Sequence, residues 1–113
     1  MRVVIIEDGP DLAHMLAQRL CLDMRDQVEV VTITTDFEAA VANYNWHDVN
    51  VAVVDIMLPR IDGRTIAYWL HTQHPNVRVI IWTAMPVEQF HDVLADATIV
   101  KQDIDALIKA IRG

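Results

Sequence analysis

Short β-branched runs alternate with stretches of helical spacing along the whole chain, and this alternation limits the folds available more than any other feature. The strand candidates are Val3 to Ile6, Val28 to Thr34, Val51 to Val54, Val77 to Trp82 and the shorter Thr98 to Val100. The first, third and fourth read as nearly continuous apolar runs, the pattern of strands covered on both faces of a parallel sheet. Between the strands, Leu12, Met15, Leu16 and Leu20 repeat at helical spacing after Gly9-Pro10-Asp11. Phe37, Ala40, Val41 and Tyr44 predict a second helix with Asp36 as N-cap. A third is expected from Arg64 to Thr72, with Ile66, Trp69 and Leu70 inward and His74-Pro75 ending it. Val87, Phe90 and Leu94 carry a fourth, and Ile104, Leu107, Ile108 and Ile111 a fifth that Asp103 can cap.

Alternating units of this kind demand right-handed crossovers and helices on both faces of the sheet. The expected architecture is an α/β three-layer sandwich, a five-stranded parallel sheet in the flavodoxin-like order 2-1-3-4-5 with five helices. With 113 residues and no linker or repeat, residues 1–113 are expected to form a single domain. No apolar run approaches the roughly 18 residues that span a bilayer, and Met1-Arg2 leads directly into a strand with no signal-peptide pattern, so a cytoplasmic location is expected. Cys21 is the single cysteine, which excludes an internal disulfide; it reads as a buried or half-buried packing residue on a helix. The 16 Asp and Glu against 9 Lys and Arg, a net charge of -7, speak against direct nucleic-acid binding.

In a sheet of this topology, ligand sites lie outside the carboxyl ends of the strands where the winding reverses. The residues after the apolar runs are Glu7 and Asp8 after strand 1, Asp55 after strand 3, Thr83 after strand 4 and Lys101 after strand 5. Three neighbouring carboxylates need a counterion, and a hard divalent cation such as magnesium suits them while leaving room for a phosphoryl group. Lys101 adds a cation and Thr83 a hydroxyl donor. Separately, each residue has a plain alternative: a turn former at Asp55, a helix cap at Thr83, a solvated strand end at Lys101. Their shared edge is what points to phosphoryl chemistry.

With those residues in view, the chain resembles the receiver domain of bacterial two-component response regulators over essentially its whole length. Val3-Val4-Ile5-Ile6-Glu7-Asp8 is similar to that family's first strand and acidic pair. Val53-Val54-Asp55-Ile56-Met57-Leu58-Pro59-Arg60-Ile61-Asp62-Gly63 is similar to its phosphorylation loop, the most specific match. Thr83-Ala84 and Lys101 resemble the hydroxyl, small residue and lysine of the last two strands. The resemblance implies that Asp55 accepts a phosphoryl group from the phosphohistidine of a sensor histidine kinase or phosphotransfer protein. Asp8 and Asp55 would bind magnesium, with Glu7 acting through water and the Met57 carbonyl completing the protein ligands. Thr83 and Lys101 would contact the phosphoryl group, and Ala84 would leave room for it. The resemblance also implies a self-catalysed reaction rather than conventional turnover, a C-terminal effector domain in many relatives, and dimerisation through the face of the fourth helix, fifth strand and fifth helix.

Three features depart from the family pattern. Thr98 stands where an aromatic switch residue is usual, Gln102 where proline usually follows the lysine, and the stretch from Thr83 to Lys101 is a few residues short. The departures favour signalling by displacement of the fourth helix and keep open an alternative, a receiver-like interaction module that works without phosphorylation. Met57 and Met85 occupy the positions two after Asp55 and Thr83, which the resemblance implies flank a hydrolytic water; neither side chain orients a water well, which predicts a long-lived phosphoaspartate. A phosphohydrolase is disfavoured because Met57 replaces the second acid such enzymes use, and a flavin site because Glu7-Asp8 would repel a bare phosphate. Trp82 is expected in the core, and His71 and His74 in a solvated last helical turn.

Overall fold

The computed structural model describes residues 1–86 and 94–113. Its five strands, β1 (Arg2–Ile6), β2 (Glu29–Ile33), β3 (Val51–Val54), β4 (Arg78–Thr83) and β5 (Ala97–Val100), form one parallel sheet in the order β2-β1-β3-β4-β5. The helices are α1 (Pro10–Met24), α2 (Phe37–Asn43), α3 (Gly63–Gln73) and α4 (Ile104–Arg112), with a 3-10 turn at Arg25–Gln27. The fold is the expected flavodoxin-like one. Four α-helices appear among the described residues rather than five: of the predicted fourth helix, resting on Val87, Phe90 and Leu94, residues 87–93 lie outside them and Leu94 is exposed outside any helix; α4 is the fifth predicted from sequence.

Alternation along β1, β3 and β4 builds two cores from one sheet. Val4, Ile6, Ala52, Val54, Val79 and Ile81 face one way and pack with Phe37, Val41, Ile66 and Leu70 of α2 and α3. Val3, Ile5, Val51, Val53, Ile80 and Trp82 face the other way, against Leu16 and Leu20 of α1 and Leu107, Ile108 and Ile111 of α4. Side chains on both faces are buried, which is why these strands carry no polar alternation.

Local signals place the helix starts. Pro10 begins α1, where its missing N–H costs nothing. Asp62 caps α3 by accepting from the Arg64 N–H at 2.9 Å, and Asp103 caps α4 by accepting from the Ala106 N–H at 3.0 Å. Asp36 precedes α2 but does not cap it; its backbone is left-handed at φ 50, and its side chain makes no cap bond. At the far end of α4, Arg78 reaches across from β4 and donates to the carbonyls of Ala110 and Ile111, satisfying oxygens that the helix itself leaves free.

Two expectations on α1 are corrected. Cys21 is exposed rather than packed, and Met15 is also exposed. The inward stripe is Ala13, Leu16 and Leu20, and a neighbouring residue in sequence is rotated by about 100° away from it. His74 departs from the solvated turn expected of it: it is half-buried, its ring 5.2 Å from that of Trp69 and 6.3 Å from that of Trp46.

Gly63, the first residue of α3, lies against the backbone of the β3–α3 loop. A Cβ there would overlap the Asp55 carbonyl oxygen and the Ile56 Cα, so no other residue fits without moving that loop. The loop is folded back on itself by the Gly63 N–H donating to the Ile56 carbonyl at 2.9 Å and by a bridge between Met57 and Asp62. Gly63→Ala should lower stability by about 1–3 kcal/mol, read as an earlier midpoint in urea with an unchanged slope. An unchanged midpoint would mean that the loop shifts freely.

Candidate functional site

Register in the parallel sheet brings the ends of β1, β3, β4 and β5 to one edge. Asp55 is held there by its own N–H, which donates to the Ile6 carbonyl at 2.9 Å, and Glu7 by its N–H to Ile33 of β2 at 3.1 Å. The Lys101 N–H donates to the Thr83 carbonyl at 2.8 Å, which fixes the lysine just past β5. Five sequence-selected residues, Glu7, Asp8, Asp55, Thr83 and Lys101, therefore stand at the same edge.

The acids differ in environment. Glu7 and Asp55 are buried at 2% and 3% exposure, whereas Asp8 is exposed. One oxygen from each lies within 4.8 Å of the others, the spacing of a set that can share a cation. Lys101 Nζ donates to Asp55 Oδ2 at 3.0 Å and sits 2.6 Å from Glu7 Oε1. One ammonium is thus the close cationic partner of both buried carboxyls. The other Glu7 oxygen, Oε2, accepts from the Gly9 N–H at 2.9 Å.

Burial pushes the Glu7 carboxyl above its usual range, against the opposing pull of Lys101 and of the Gly9 N–H, and Asp8 and Asp55 add to the push. Burial also works against the Lys101 ammonium, but its contacts with Glu7 and Asp55 outweigh this and hold its pKa above the ordinary value. One ammonium thus serves a cluster of three carboxyls. A hard cation fits this set because oxygens of three carboxyls converge within 4.8 Å and a single ammonium offsets them.

Thr83 is fully buried, and its Oγ1 accepts from the Met85 N–H at 3.1 Å. Ala84, next in sequence, is exposed and presents only a methyl group. The Met57 N–H donates to Asp55 Oδ1 at 3.1 Å, while the Met57 side chain is 64% exposed and packs on nothing that would bury it. Met85 is half-buried against the α2 and α3 core. Thr98 lies on β5 opposite Ile81, half-buried, and Gln102 is exposed in the turn before α4.

Two contributors were not singled out as site residues from the sequence. Gly63 permits the approach of the Asp55 backbone, and its signal in the sequence was its place at the end of the segment similar to the phosphorylation loop. Trp82 is in the core as expected, yet its ring also lies 5.5 Å from Lys101 Nζ. The cavity of about 590 Å³ beside Asp8, bordered by Thr34, Thr35, Phe37, Arg60 and Ile61, includes neither Asp55 nor Lys101, so it adjoins the acidic cluster without containing it.

The chain matches the family model described as "Response regulator receiver domain" over residues 3–112. It belongs to that family. The transcriptional regulatory protein TcrA of Mycobacterium tuberculosis is 31% identical over 84 residues, which cover 74% of this receiver and 32% of TcrA. The sensor protein TorS of Escherichia coli is 30% identical over 91 residues, 79% of this chain and 9% of TorS. The matched part is thus under a third of TcrA and a tenth or less of TorS, and the two relatives carry different names for the whole protein. Among solved structures, the response regulator TrrA of Thermotoga maritima, in complex with Mg(2+)-BeF, superimposes with a TM-score of 0.77 at 20% identity over 97% of each chain. That likeness establishes the fold. No helix among the described residues of this receiver is long and apolar enough to cross a membrane.

The direction of the Glu7 shift sets a sign for stability against pH. A carboxyl whose pKa is raised by folding binds its proton more tightly in the native state, so its contribution is full below the unfolded pKa and is lost as pH rises through the folded one. In magnesium-free buffer, Glu7→Gln should therefore gain stability relative to the unsubstituted protein as pH rises from about 4 to about 8. Urea midpoints of the two proteins across that range measure it, and a constant difference would contradict the burial of an ionising Glu7.

Proposed function

We propose that this receiver accepts a phosphoryl group on Asp55 from a phosphohistidine on a sensor histidine kinase or phosphotransfer protein, in a magnesium-dependent reaction. The observation that carries the reading is the Lys101 ammonium held between Glu7 and Asp55 at the edge where three carboxyl oxygens converge. Asp55 Oδ attacks phosphorus while the P–N bond of the donor breaks, and the leaving imidazole keeps the electron pair. Asp55 is suited to this because its carboxylate is positioned by the Met57 N–H and by Lys101 rather than being free to rotate.

Asp8, Asp55 and the Met57 carbonyl would hold magnesium directly, with Glu7 through water. The ion supplies charge neutralisation for the approach of an anionic donor to an anionic nucleophile. Lys101 contributes a second positive charge, already desolvated, aimed at the oxygens of the incoming group. Thr83 then donates its hydroxyl to the bound phosphoryl group, its side chain turning away from the Met85 N–H that it now accepts from, and Ala84 leaves space above it. Release of the Met85 N–H from Thr83 begins the structural response in the segment after β4.

Residues 1–113 are read as one receiver domain that promotes its own phosphorylation and is not a turnover enzyme. It acts in the cytoplasm, has no direct contact with nucleic acid, and works with an effector that is either a further domain or a separate protein. A homodimer through the β5 and α4 face belongs to the same reading. The predicted displacement of the fourth helix lies outside the described residues.

Incubation with acetyl phosphate and magnesium, followed by intact-protein mass spectrometry, should show one added phosphoryl group on the unsubstituted protein and none on Asp55→Asn. Equal masses before and after treatment in both proteins would instead favour an interaction module that works without phosphorylation. The exposed Met57 side chain offers no hydrogen bond to a hydrolytic water. Met57→Asn should therefore hasten loss of the phosphoryl group by about tenfold, the value of one water-orienting hydrogen bond of roughly 1.4 kcal/mol. An unchanged decay rate in a chase experiment would remove Met57 from the control of phosphoaspartate lifetime.

A further inference from the structure

Trp82 sits directly behind the charged cluster. It is fully buried in the core between β4, α1 and α4, one residue before Thr83 and on the opposite side of the strand. Its indole Nε1 is buried with no hydrogen-bond partner among the described residues. A buried unpartnered N–H costs free energy, and a leucine or phenylalanine would fill an apolar slot without that cost. What the indole offers in exchange is its π face, which lies 5.5 Å from Lys101 Nζ.

The ammonium has reason to need such support. Lys101 ends a flexible four-carbon stem, its side chain is only 20% exposed, and its two anionic neighbours both lie on the reactive side. An acceptor oxygen behind it would occupy one of its three N–H groups, and a further carboxylate would add negative charge against an incoming phosphoryl group. An aromatic face does neither. It attracts the cation while leaving the N–H groups directed at Glu7, Asp55 and the oxygens to be transferred.

We propose that Trp82 is a positioning residue whose indole face holds the Lys101 ammonium between Glu7 and Asp55, so that the charge is in place before a phosphoryl group arrives. The inference rests on the phosphoacceptor reading of Asp55, and two measurements separate it from that reading. The first needs no phosphorylation. Lys101→Met should alter the near-ultraviolet absorption and emission of the resting protein, and the same substitution made on Trp82→Phe should leave the remaining indoles, Trp46 and Trp69, unaffected. Identical spectral changes in both backgrounds, or none in either, overturn the contact.

The second follows phosphorylation by acetyl phosphate at saturating magnesium. Trp82→Met should lower the maximal rate by about ten- to thirtyfold, the loss of a desolvated cation–π contact, with the half-saturating magnesium concentration unchanged. Trp82→Phe, which keeps a ring face, should stay within about threefold of the unsubstituted rate. Equal slowing in both variants, or a parallel rise in the magnesium requirement, would mark a loosened core and overturn the proposal. Should Trp82→Met fail to fold, the Lys101→Met spectra decide the matter. If Asp55→Asn is phosphorylated as readily as the unsubstituted protein, the reading of Asp55 fails and takes the positioning role with it, while the spectra still report the contact.

Discussion

Everything at the carboxyl edge of the sheet is organised around a single ammonium shared by two buried carboxyls. Glu7 and Asp55 belong to different strands, and leaving either buried and ionised without a partner would be costly. Lys101, from a third strand, makes their proximity tolerable. The arrangement is poised rather than saturated: one ammonium serves both buried carboxyls, and exposed Asp8 adds a third carboxyl beside them. Such a cluster has residual affinity for positive charge, which is the chemical basis for reading it as a magnesium and phosphoryl site.

Much of this was legible in the sequence, for definite reasons. The uninterrupted apolar runs of β1, β3 and β4 reflect burial on both faces, and that alone implies a parallel sheet covered by helices. Parallel topology then brings every strand-end residue to one edge, so Glu7, Asp8, Asp55, Thr83 and Lys101 were found without coordinates. The family match over residues 3–112 agrees with the fold so derived.

What escaped the sequence depended on rotation and close approach. Met15 and Cys21 flank inward-facing residues of α1, and composition does not reveal that Ala13, a small residue, completes the buried stripe. Asp36 has the right chemistry and position for a cap, but its left-handed backbone keeps it from acting as one. The relation of Trp82 to Lys101 joins neighbouring strands through side-chain length, and the strand pattern identifies Trp82 only as core. Thr98, half-buried on β5, and Gln102, exposed in the turn before α4, are the departures from the family pattern.

The turn at Gly63 has a wider meaning for how this site is specified. Asp55 occupies its place because the start of α3 comes so near that a single methyl group would collide with the Asp55 backbone. One determinant of the site is therefore an absence of atoms. A search for function by reactive groups passes over it, since glycine offers nothing to titrate, ligate or donate from a side chain. The site is defined by a shape as well as by charges, and the shape is encoded at a position with no chemistry of its own.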